Sequence, residues 1–125
     1  MIPGTHSGRM ARKDDLGRRG KQLAVAHLEG LGLVVVDRNW RCALGEIDVV
    51  VRDGAEIVFV EVKTRSGLGF GHPFEAITPR KLARLRRLAG AWLAAHPGAA
   101  GGARLDAIAV IVTDAVVIEY LRGIW

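Results

Sequence analysis

Four charged residues stand inside two runs that are otherwise apolar: Glu46 and Asp48 in Gly45-Glu46-Ile47-Asp48, then Glu61 and Lys63 in Phe59-Val60-Glu61-Val62-Lys63-Thr64. Charge carried into a buried sheet costs free energy unless it is paired, bound to a metal or put to use. Two carboxylates leaning onto one cation make a Mg2+ or Mn2+ site. Magnesium takes one or two protein carboxylates at about 2.0–2.1 Å and keeps waters that a substrate phosphate displaces. Lys63, two residues beyond Glu61, adds a point charge suited to orient hydroxide or to neutralise charge building on phosphorus during hydrolysis. The plain alternative is a cross-strand Glu46, Glu61 and Lys63 salt-bridge cluster without catalysis.

For either reading the four residues must share one face, and that depends on strand register. Ile47 to Val51 and Ile57 to Val62 are β-branched or apolar runs separated by Arg52-Asp53-Gly54-Ala55, and Asp-Gly is a type I′ hairpin signal. With Asp53 and Gly54 as the two-residue turn, Arg52 faces Ala55, Asp48 faces Phe59 and Glu46 faces Glu61. Ile47, Val49, Val51, Val58, Val60 and Val62 then form one apolar face, and the four charged residues converge at one end of the other. Asp48 and Glu61 become diagonal neighbours, with Cβ atoms about 7–8 Å apart or less. A slip of one residue would separate them.

The surrounding chain reads as α/β. Residues 1–15 are polar and basic without apolar period, and are expected as a flexible arm ahead of a single domain over 16–125. Leu23, Ala24, His27, Leu28 and Leu31 mark a first helix, which Gly30 and Gly32 end. A short strand, Leu33 to Asp37, follows, and Asn39-Trp40-Arg41 turns or bulges into the Gly45 strand. After the hairpin, Ser66 to Pro73 is a glycine-containing loop without the lysine a phosphate-binding loop requires. Thr78 caps a second helix with Pro79 at its first position, and Leu82, Leu85, Ala89, Trp92 and Leu93 form its buried stripe. His96-Pro97-Gly98 closes that helix. Leu105 to Val112 and Ala115 to Leu121 complete a mixed sheet of about five strands flanked by helices. Asp106 reads as a strand-start residue paired with Arg104 or Arg41, the alternative being an extra metal ligand.

Composition bounds the setting. A 125-residue chain with one cysteine, Cys42, cannot close an internal disulfide and suits a reducing compartment. No apolar run approaches the roughly 20 residues of a membrane span, and the first residues lack a signal-peptide core, so a cytoplasmic location is expected. The formal charge of +5 is unevenly placed. Residues 1–41 carry 8 Lys/Arg against 4 Asp/Glu, residues 42–78 carry 3 against 6, and residues 79–125 carry 7 against 3. An acidic middle flanked by basic segments would hold a cation and draw a polyanion over it. Arg80, Lys81, Arg84, Arg86 and Arg87 cover much of the second helix, either as a solvated face or as a phosphate-tracking surface.

Gly45-Glu46-Ile47-Asp48, the run Phe59 to Arg65, Phe70-Gly71 with Pro73, Glu75 to Lys81 and the terminal Arg122-Gly123 together resemble the YraN-type family of small bacterial proteins. The likeness extends from about Gly17 to Trp125. That family resembles a minimal member of the PD-(D/E)xK restriction-endonuclease-like superfamily, near Holliday-junction resolvases. The resemblance implies Asp48 and Glu61 as metal ligands, with Lys63 as the catalytic lysine beside them. It also implies an acid in the first helix, where this chain has Lys21 followed by Gln22; Glu75 is either a stand-in or a cap of the basic second helix through backbone or Arg contacts. Glu46 is left as a neighbouring polar residue.

Two functional classes follow. One is a Mg2+- or Mn2+-dependent endonuclease acting on DNA, branched or otherwise structured, with Arg65, Arg80, Lys81, Arg84 and Arg87 on the phosphates. The other is a non-catalytic nucleic-acid- or protein-binding module on the same fold. A third and weaker reading is a structural domain that forms a homodimer through apolar edge strands.

Overall fold

The computed structural model describes residues 5–69, 71–99 and 101–125, with side chains from Lys13 onward. Phe70 and residues 1–4, which enter the expectations above, lie outside the described residues. The elements run α1 (Thr5–Gly30), β1 (Val34–Cys42), β2 (Gly45–Asp53), β3 (Glu56–Arg65), a 3-10 turn (Pro73–Ala76), α2 (Pro79–Ala95), β4 (Gly102–Val112) and β5 (Val116–Leu121). The five strands form one mixed sheet in the order β1-β2-β3-β4-β5. Only β3 and β4 are parallel, because α2 lies between them in the chain and carries it back across the sheet. The other neighbours are antiparallel.

Each face of the sheet is covered by one helix. On one side Ala24, Val25 and Leu28 of α1 pack against Val49, Val51, Val58, Val60, Ile108 and Val110. On the other, Leu85, Leu88, Ala89 and Trp92 of α2 pack against Ile47, Val50, Ile57, Phe59 and Leu105. Apolar residues on both faces of the central strands explain why β2 and β3 read as near-continuous Val and Ile runs. The α2 expectation holds for its cap, where the Thr78 side chain accepts the Lys81 amide with Pro79 next in line. Its stripe also includes Leu88.

Several expectations are corrected. Helix α1 extends back through residues 5–15, where the sequence pattern favours an arm. Its buried stripe is Ala24, Val25 and Leu28, while Leu31 lies past the helix end and is exposed. There the Leu33 amide donates to the Leu28 carbonyl and the Gly32 amide to Glu29, with Gly32 at φ +87°, a Schellman ending that removes Leu31 from the helical face. Strand β1 does not stop at Asp37 but continues through Trp40 and Arg41 to Cys42. A bulge between Val35 and Asp37 lets it stay paired with β2. Ile47 packs on the α2 side, apart from Val49 and Val51, so the expected single face of β2 is broken near Asp48, beyond the end of its ladder with β3.

The β2–β3 hairpin turns on Gly54 and Ala55, since Asp53 pairs with Glu56 and Val49 with Val60. The positive φ of +62° falls on Gly54, the first central residue, and not on Ala55, as a type II′ turn requires. Facing carboxylates at Asp53 and Glu56 would repel, but Arg104 on β4 binds both, at 2.9 and 2.7 Å. Relative to the sequence expectation the register moves by two residues. Because side chains alternate with a period of two, faces are kept and partners change along the paired residues from Val49 to Val60. Asp48 and Glu61 now lie just beyond the last pair, Val49 and Val60.

Asp106 is fully buried and structural. It accepts from Arg104 Nε at 3.1 Å, from the Gly123 amide at 2.9 Å and from the Tyr120 hydroxyl. Of the two partners expected for it, Arg104 is present and Arg41 binds Glu46 instead.

Candidate functional site

The β2–β3 ladder ends at Val49 and Val60, and the residues that come next on the two strands are Asp48 and Glu61. There the Asp48 side chain takes over from the backbone. Its Oδ2 accepts the Val62 amide at 2.8 Å, which fixes the carboxylate at the point where the strands part. Glu61 follows on the α2 side of β3, beyond Ile57 and Phe59, and is only 8% exposed. Below the two carboxylates lies an apolar floor of Ile47, Phe59, Leu85 and Leu105.

Burial, first, and the adjacent Asp48 carboxyl, second, push the Glu61 pKa up to about 8, against the opposing pull of Lys81. Lys81 reaches in from the first turn of α2 and its Nζ is 3.2 Å from Glu61 Oε2. Lys63 has a pKa pushed down by burial and by the nearby cations Lys81 and Arg65, partly countered by Glu61 and Asp48. All three residues named from the sequence therefore share one electrostatic neighbourhood.

Glu46 enters through Lys21. The Lys21 ammonium lies 3.0 Å from Glu46 Oε1, 3.5 Å from Asp48 Oδ1 and 3.1 Å from Asn39 Oδ1. Burial lowers the Lys21 pKa, but Asp48 and Glu46 outweigh it and the net shift is upward. For Glu46, burial raises the pKa while Lys21 and then Arg41, whose Nε is 2.8 Å away, bring the net shift down. Glu75 stands apart. It is exposed in the 3-10 turn, close to Gly71, and makes no ion pair among the described residues.

Two basic grooves border the carboxylates. One, of about 590 Å³, is lined by Lys13, Lys21, Lys63, Thr64, Arg65 and Ser66. The other, of about 360 Å³, is lined by Thr78, Arg80, Lys81, Arg84 and Arg87. Lys63 and Lys81 thus connect the acidic centre to cationic surface on both sides.

In donor chemistry the pair Asp48 and Glu61 fits a divalent cation. Both are hard oxygen donors, and they are near enough for one to raise the pKa of the other, a repulsion that a shared cation relieves. No third acid, His or Cys joins them in a metal-holding group among the described residues. Sequence reasoning missed the contacts of Lys21, Asn39 and Lys81. The alternation of Asp48 and Glu61 on facing strands was legible, but a lysine arriving from a helix leaves no periodic mark.

The family described as "Uncharacterised protein family UPF0102" matches residues 20–110. A UPF0102 protein of Beutenbergia cavernae is 56% identical over 117 residues, covering 92% of this chain and 99% of the relative. One from Clavibacter michiganensis is 54% identical over 102 residues, covering 82% and 86%. One from Frankia alni is 52% identical over 116 residues, covering 91% and 97%. No helix among the described residues is long and apolar enough to cross a membrane.

Proposed function

The chain belongs to the UPF0102 family, and we propose that it is a divalent-metal-dependent nuclease of the PD-(D/E)xK type that acts on DNA. The observation that carries this reading is the juxtaposition of Asp48 and Glu61 where the β2–β3 ladder ends, with Lys63 in the same field and basic grooves on either side.

In this reading Asp48 and Glu61 hold the cation, Asp48 being oriented by the Val62 amide. When bound, Mg2+ or Mn2+ supplies Lewis-acid stabilisation of charge on the phosphate. Lys63 lines the larger groove, where its ammonium stabilises negative charge developing on a phosphoryl oxygen. Arg65 in that groove, with Arg80, Arg84 and Arg87 in the other, binds flanking phosphates without reading sequence. Lys81 holds Glu61 in place before the cation arrives.

The test is incubation of supercoiled, linear and four-way-junction DNA with millimolar Mg2+ or Mn2+, using the native protein, Glu61→Ala and Lys63→Ala. The native protein should cleave at least one substrate, with each variant slower by about a hundredfold or more. Cleavage that survives both substitutions would overturn the reading. The second reading, a DNA-binding module without hydrolysis, draws support from Lys21 and Lys81, which already occupy positions beside the two carboxyl groups. It is the one to adopt if no substrate is cut while salt-sensitive binding persists.

A further inference from the structure

We propose that Lys21 is a built-in competing cation, which pairs with Asp48 and opposes the binding of a divalent ion there until its ammonium swings away. This rests on the reading that Asp48 and Glu61 form a divalent-cation site. Both Asp48 oxygens are engaged by the protein's own groups, Oδ1 by the Lys21 ammonium and Oδ2 by the Val62 amide. The amide contact leaves the oxygen's other lone pair free for a ligand. The ammonium does not, because a cation approaching Oδ1 meets a like charge at close range. The Lys21 ammonium is held at Asp48 by hydrogen bonds to Asn39 and Glu46, which fix it within ion-pair distance of Oδ1.

The arrangement also permits release. Lys21 is a flexible side chain, about one third exposed, and it lines the 590 Å³ groove beside Lys63 and Arg65 as well as the pocket at Asp48. It can therefore rotate toward the groove without leaving the surface it already covers. Glu46 would not be stranded, because Arg41 stays bound to its other oxygen. Arginine at the same place would grip a carboxylate through two donors and release it less readily, whereas lysine behaves as a mobile point charge.

The experiment is Mn2+ binding, read from the spectrum of free Mn2+ by electron paramagnetic resonance, for the native protein, Lys21→Gln and Lys21→Ala. Each variant is also measured with Asp48→Asn added, and melting with and without Mn2+ gives an independent readout. Removing one unit charge at this distance should tighten Mn2+ binding about tenfold or more. Both single variants should melt lower than the native protein without metal and gain more from Mn2+. The added Asp48→Asn should abolish the gain. Equal, Asp48-dependent affinities in native and Lys21 variants would overturn the Lys21 proposal while leaving the metal site standing. Absence of Asp48-dependent binding in every protein would overturn the metal site, and the proposal with it.

Discussion

Glu61→Gln should abolish a pH dependence of stability that the native protein shows between about pH 5 and 8. Burial and the Asp48 carboxyl raise the folded-state pKa of Glu61 from 4.5 to about 8. In the unfolded chain the group loses its proton near its ordinary value, so across this window the folded state holds a proton that the unfolded state does not. The contribution to stability is full below the unfolded pKa and is lost as pH rises through the folded one. At about 1.36 kcal/mol per pH unit, the interval sets a ceiling of about 5 kcal/mol on the loss. Glutamine keeps the side chain's shape and removes its titration. Urea unfolding at about pH 5, 6.5, 8 and 9 should show native stability falling by several kcal/mol and the variant's staying nearly level. Parallel profiles for the two proteins would refute the assignment of the raised pKa to Glu61.

Other perturbations follow from the same geometry. Asp106→Ala should cost about 3 kcal/mol or more in denaturant unfolding, because it leaves the Tyr120 hydroxyl and the Gly123 amide without their acceptor and takes one of three carboxylates from Arg104, while Tyr120→Phe should cost about 1 kcal/mol. Gly20→Ala should destabilise by about 1–3 kcal/mol, read as a lower melting temperature, since the new Cβ would sit 2.8 Å from Thr64 Cβ and force α1 away from β3. Arg84→Gln with Arg87→Gln should weaken duplex DNA binding irrespective of sequence. In fluorescence anisotropy the salt slope should fall by about 0.9 for each phosphate that the two arginines neutralise in the native protein.

Much of the site was legible in the sequence because a β-strand's period of two is rigid. Placing the turn at Asp53-Gly54 instead of Gly54-Ala55 shifts every pair, yet Asp48 and Glu61 stay neighbours because the difference is two residues and not one. What selects the actual turn is Arg104, which ties Asp53 to Glu56 from a parallel strand far along the chain, and no local pattern carries that. The same limit applies to the cations. Lys81 reads as one more member of a basic helix face, but Thr78 caps α2 at a position that delivers Lys81 to Glu61. Lys21 stands out in the sequence as a residue of the wrong sign, and only the packing of α1 on the sheet shows which carboxylates it serves. The two helix boundaries at Gly32 and Thr78 are readable in advance, because both residues act through local backbone chemistry.

The most direct test of the central claim is anomalous diffraction from crystals of the protein equilibrated with Mn2+. A divalent-cation site at Asp48 and Glu61 predicts a peak within coordinating distance of their oxygens, with the Lys21 ammonium withdrawn from Asp48. A map with no peak there at saturating Mn2+, and with Lys21 and Lys81 still bound to the two carboxylates, would contradict it.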